Sequence, residues 1–269
     1  MAIGFSSIPA DIRVPLFYAE MDNSAANSAS SAMRRLIVAQ VNDNIAPTEI
    51  GKLVLVSSVA QAKSLGGQGS MLAAMYETFR KTDPVGEIWC MPLHNIEGSI
   101  AKGVVTLTGT ATQAGVLNLY VGGVRVQAAI VKGATAAQAA TALTLKINAA
   151  ADLPVSATAV DAVVTLSAKW TGDSGNDISL QFNRLGKSNG EETPPGLTSS
   201  TTSMTGGAGV PDQVAAVAAL GDEPFEFICL PWSDLATLNT WQAVMDDSTG
   251  RWSWAKQLFG HVYSAKRGT

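Results

Sequence analysis

The residues able to do chemistry in this chain are few and scattered. The turn GGQGS at 66–70 stands before a helical stretch, where the N–H groups of a helix N-terminus could hold an anion. It has neither the Lys of a phosphate loop nor the third-glycine spacing of a dinucleotide site, so it reads as a turn. His94 and His261 are the only histidines, and neither stands in a Cys/His/carboxylate cluster with metal-ligand spacing. Cys90 and Cys229 lie inside apolar runs and read as buried free thiols, with a disulfide or a nucleophilic role as the sharper alternatives. GDSGND at 172–177 lacks the calcium-loop pattern and reads as a solvated hairpin turn. Asp246 and Asp247 read as a helix end before Ser248, Thr249 and Gly250. No serine sits in a G-x-S-x-G elbow. Trp232, Trp241, Trp252 and Trp254 crowd the last 40 residues, as core or as a subunit contact, because aromatics are enriched at interfaces. These groups assemble no active site, and the sequence calls for no cofactor, no metal and no enzyme.

What must position them is a chain of 269 residues, long enough for two modest domains. Apolar residues make up 46% and charged ones only 15%, where about 25% is usual. Cores are therefore within reach, but the surface carries few charges. Net charge is −4 and no Lys/Arg run exceeds two, which argues against a nucleic-acid partner. The first residues, MAIGFSSIPADIRVP, carry no basic and long apolar leader, and no 18-residue apolar run predicts membrane insertion.

Residues 1–33 read as an extended arm. Pro9 and Pro15 disfavour helix, and NSAANSASSA is a small, polar tether. Ile12, Val14, Leu16, Phe17 and Tyr18 would dock on the sheet edge of another chain, or fold back on their own domain. One phrase then occurs twice: EIWCMP at 87–92 and EFICLP at 226–231. Each follows a helical stretch. Before the first, Ser70 is a candidate N-cap and Met71, Leu72, Met75 and Phe79 mark an apolar face. Before the second, Pro211 suits the first turn, Val214, Val217 and Leu220 line a face, and Gly221 fits beyond the end. A third helix opens at Ser233 or Asp234 with Leu235, Leu238, Trp241 and Met245 on its apolar face, before a strand in GHVYSA at 260–265. LIVAQV at 36–41 and KLVLVS at 52–57 read as further strands.

Between the two phrases the grammar changes to alternating strands: 104–110, 115–121, 124–131, 155–160, 162–168 and 177–182. Gly122-Gly123 reads as a tight hairpin, 135–150 as the one helix, and 185–209 as a return loop. The expected fold is an α/β core, a mixed sheet with helices, formed by 34–97 and 208–269 and interrupted by an inserted β-rich (α+β) domain at 98–207. The two phrases become separate strands of one sheet. KRGT follows the last strand directly, so that strand is expected to need a further crossover or a partner to cover it.

IPADIRVPLFYAEMDNS, GQGSMLAAMYETF, EIWCMPL and GRWSWAKQLFGHVYSAKRGT, in that order and spacing, resemble the Mu-like branch of contractile phage tail sheath proteins. The resemblance implies a structural subunit that packs with itself in stacked rings of six around a tail tube protein. It implies contact with baseplate and tail terminator proteins, and a virion tail location after assembly in the host cytoplasm. It implies that contraction drives the tube through the host envelope, that the arm links neighbours, and that the inserted domain faces outward. A whole sheath protein is expected to be longer, with a C-terminal half beyond this chain. The alternatives are an adhesion or carbohydrate-binding module using the insertion, and an α/β enzyme using the GGQGS turn.

Overall fold

A computed structural model describes residues 33–46, 49–95 and 97–266. The arm residues Ile12, Val14, Leu16, Phe17 and Tyr18 lie outside the described residues. The fold is mixed α/β. The chain runs through β1 (Arg35–Gln40), β2 (Val54–Leu55), α1 (Val59–Gly66), α2 (Met71–Thr82) and β3 (Ile88–Leu93). It continues through β4 (Ile100–Gly109), β5 (Gly115–Val121), β6 (Val124–Ile130), α3 (Ala136–Ala149), β7 (Val155–Val160), β8 (Val163–Thr171), β9 (Leu180–Phe182) and β10 (Leu197–Thr205). It closes with α4 (Gln213–Leu220), β11 (Phe227–Leu230), α5 (Leu235–Val244) and β12 (His261–Ser264).

One sheet has the order β12-β11-β1-β3-β2, parallel except for β2. Strand β1 is its centre, and five of its six residues are buried, as a strand clad on both faces must be. Its alternation sorts the two cores. Leu36 and Val38 pack with Ala216, Leu220 and Trp241 of α4 and α5, whereas Ile37 and Ala39 pack with Ala62, Leu72 and Tyr76 of α1 and α2. The two repeated phrases flank β1 from either side, and Ile37 stands opposite both Cys90 and Cys229.

The segment between β3 and α4 builds two antiparallel sheets, β10-β4-β8-β7 and β6-β5-β9. Helix α3 lies against β6 and β7. Thr135 caps it, with its Oγ1 accepting from Gln138 N and Gln138 Oε1 accepting from Thr135 N. Gly122 and Gly123, both at positive φ, make the two-residue turn between β5 and β6. Their shared core is drawn wholly from residues between Ala101 and Met204, and no buried member of the other two cores comes from that range.

Several local expectations shift. The 185–209 return loop contains β10, whose Ser/Thr-rich text has the β-branched character of a strand with an exposed face. Helix α1 lacks a strong apolar stripe and was not legible. In α4 Leu220 and Val217 pack inward as expected, with Gln213 and Ala216 buried beside them, but Val214 is exposed, and the N-cap is Asp212. In α5 Trp241 and Met245 pack inward as expected, with Thr237 buried beside them, whereas Leu235 is 74% exposed and Leu238 is exposed.

Candidate functional site

The chemistry-capable side chains do not converge. His94 Nε2 lies 3.1 Å from Asn42 O, while His261 sits on β12 with its ring 5.8 Å from Trp252 and 6.3 Å from Tyr263. Among the described residues no group of His, Cys, Asp and Glu is placed to hold a metal ion. Both cysteines are free thiols. Burial pushes Cys90 up to about 12 and also raises Cys229, which disfavours the thiolate a nucleophile needs. Asp246 is held below the usual carboxylate range by N–H donation from Thr249 and Ser248, as a helix-end turn requires. GDSGND is not a solvated hairpin. Residues Asp173–Asp177 form a 3-10 turn with Gly175 buried, and burial raises Asp173, with Asp234 and Asp177 adding to the effect. Of the four tryptophans in the last 40 residues, Trp232 and Trp241 are core, whereas Trp252 and Trp254 reach the surface.

What does converge is mechanical. The acidic residue that opens each repeated phrase meets the same residue, Arg34: Glu226 at its main chain and Glu87 at its guanidinium. Arg34 donates from its main-chain N to Glu226 at 2.6 Å, and its guanidinium lies 3.6 Å from Glu87 and 2.9 Å from Glu223. Arg34 therefore ties the entry of β1 to the strands on both sides of it.

A second set joins the parallel sheet to the two antiparallel ones. Thr171, at the end of β8, donates to Asp43 from its main-chain N at 3.1 Å and from Oγ1 at 2.7 Å. Gln40 Nε2 donates to Thr171 O, and Asp43 N donates to Lys169 O at 3.1 Å. Lys169 Nζ donates to Gln68 O at 3.0 Å and Ala151 O at 2.7 Å, and burial pushes its pKa down. Lys63 pairs with Asp152 at 2.8 Å. The GGQGS turn thus presents its Gln68 carbonyl to a lysine. Gly69 has φ +76, and a Cβ there would sit 2.1 Å from Leu153 O, so only glycine allows the approach. Three amide atoms of this seam, Gln40 Oε1, Asn42 Oδ1 and Asn95 Nδ2, are buried without a protein partner among the described residues.

Sequence reading found the turn but missed Gln40, Asp43, Lys169 and Thr171. They are ordinary polar residues at strand ends, with no motif to mark them. One further feature is the outer edge of β12, which no described strand pairs. Beside it, a groove of about 710 Å³ is lined by Leu238, Trp241, Met245, Trp252 and Val262 among others. No described helix is long and apolar enough to cross a membrane.

No family model matches the chain. Over 271 aligned residues, covering all of it, the chain is 38% identical to the Mu-like prophage FluMu tail sheath protein of Haemophilus influenzae. The alignment covers 54% of that protein, so the chain spans about half the length of the curated relative it matches. Two solved structures align over most of the chain. A sheath tail protein from Desulfitobacterium hafniense is 14% identical, with a TM-score of 0.35 over 93% of this chain and 52% of that one. A sheath tail protein from Listeria innocua is 10% identical, with a TM-score of 0.30 over 84% and 48%. Superpositions that loose carry no argument about function.

Proposed function

We propose, from the premise that this chain is related along its whole length to a Mu-like prophage tail sheath protein, that it builds the sheath of a contractile phage tail. The sequence relation is the observation that carries the reading. In it the chain is a structural element, packing with copies of itself around a tail tube and meeting baseplate and terminator proteins at the ends. Its place is the virion tail, after assembly in the host cytoplasm. Contraction would draw its energy from repacked interfaces, with no nucleotide hydrolysed.

The geometry supports a division of labour. Residues 34–97 and 208–269 form the core body, and 98–207, with a hydrophobic core of its own, form an inserted domain facing outward. The arm residues Ile12, Val14, Leu16, Phe17 and Tyr18 add a strand to the sheet of a neighbouring copy, and a free edge such as that of β12 accepts main-chain pairing of this kind. The test is deletion of residues 1–20 in the full-length protein. The expected result is a folded subunit that forms no ordered tubes by negative-stain electron microscopy. Normal tubes from the deleted protein would refute the arm, and absence of tubes from the undeleted protein would refute the sheath reading itself.

A further inference from the structure

Two bodies with separate apolar cores meet across a polar surface. Among the described residues, Met71 is the one apolar side chain packed against a core on each side of the seam. The covalent connections are two chain crossings, near 95–99 and 206–210, and they pair with each other: Ser99 N donates to Ala208 O at 3.0 Å and Ala208 N to Ser99 O at 3.3 Å. A body held only by two adjacent crossings can rock about them. Its orientation is set by what touches it elsewhere. Among the described residues those contacts include the Asp43 carboxylate on Thr171, Gln40 on Thr171 O, Asp43 N on Lys169 O, Lys169 Nζ on Gln68 O, and the Lys63–Asp152 pair, while the Asp173–Asp177 turn faces Trp232 and Asp234 across a cleft. The bonds named across the seam are hydrogen bonds or ion pairs, which water can replace at modest net cost, unlike buried apolar area. Opening the seam also delivers Gln40 Oε1, Asn42 Oδ1 and Asn95 Nδ2 to water.

We propose that this seam is a latch: it fixes the β-rich body in one orientation on the parallel sheet and opens by local separation, about the paired crossings at Ser99 and Ala208, with both cores intact. Asp43 and Lys169 are its positioning residues, and Gly69 is the contact that lets it close. The latch is a property of the chain itself and stands apart from what the chain assembles into.

Native-state hydrogen exchange on the intact chain tests it. The amides of Asp43 and Thr171, which donate across the seam, should exchange together. Their protection should be at least about a hundredfold below that of strand amides in β1 and β4. The double variant Asp43→Ala with Lys169→Met should lower seam protection by a further factor of about ten while leaving β1 and β4 unchanged. Gly69→Val, which wedges the closed seam, should do the same. Seam amides that exchange only with global unfolding, at the rate of the strands, would overturn the latch. So would variants that lower seam and strand protection by one common factor. If a variant fails to fold, exchange of the unaltered chain still decides the matter.

Discussion

Replacing Leu143 by Ala asks whether the two bodies are as separate as their cores. Leu143 is fully buried on α3, within the core drawn from residues 101–204. Truncating such a leucine loses transfer free energy and leaves a cavity, together about 2–5 kcal/mol, and about 3 kcal/mol is a fair central value. A body of about a hundred residues shifts its midpoint by roughly 4–8 °C per kcal/mol, so the transition of 98–207 should fall by roughly 12–24 °C. Peptide-resolved hydrogen exchange along a temperature ramp reads both bodies at once. Peptides from β4 to β10 should lose protection early. Those from β1, β3 and β11 should move by a few degrees at most, because among the described residues Met71 is the one apolar side chain packed against a core on each side. Equal shifts in both sets would refute the reasoning, since they would mean one cooperative core.

Two further perturbations test local accounts. Tyr76 is fully buried, and its Oη donates to Val56 O at 2.9 Å while accepting from Arg80 Nε at 2.8 Å. Tyr76→Phe removes both bonds and leaves Arg80 Nε without its acceptor, so urea unfolding should show a loss of about 2–3 kcal/mol at unchanged slope; a loss under about 0.5 kcal/mol would contradict the account. Glu191 lies in a buried clasp: it accepts from Tyr120 Oη at 2.6 Å, Leu185 N at 2.9 Å and Arg125 at 3.2 Å. Burial alone would raise its pKa, but these donors win and hold it below the usual range. A lowered folded pKa stabilises above the unfolded value, about 4.3, and that stability is lost as pH falls through the folded value. The advantage of the native chain over Glu191→Gln should therefore be full at neutral pH and shrink below about pH 4.3. A gap of the same size at pH 3 and pH 7 would rule the clasp out.

The parts of this fold that hydropathy writes were legible. The repeated phrases sit in one sheet because short unbroken apolar runs favour a clad strand, although proline ends only the second, Pro92 lying inside β3 opposite Ala39; β5 and β7 match their expected bounds. The α2 boundary was legible because Ser70 caps it, accepting from Ala73 N at 3.1 Å. Helix faces were read less well. In α4 nearly every residue is Ala, Val or Leu, so periodicity cannot choose a face, and Asp212, accepting from Val214 N and Ala215 N, fixes only where the helix begins. Strand β10 was lost because Thr and Ser also populate loops, and its pairing to β4 is long-range information that no local window holds.

The seam failed to show for a deeper reason. A core is announced by many apolar residues at a fixed period, so a sequence window detects it. A joint between bodies is announced by a few polar residues whose partners lie far off: Asp43 meets Thr171 across 128 positions, and Lys169 meets Gln68 across 101. Each alone looks like surface. The charged share of 15% gave no clue either, since ion pairs also form away from the seam, at Arg34, Arg35 and Arg125. Apolar burial makes each body stiff, because close-packed cores resist deformation. Polar contact makes the boundary between them the place where the chain yields first. The physical division of the molecule therefore follows its chemistry, with hydrophobic interiors for rigidity and a hydrogen-bonded seam for motion.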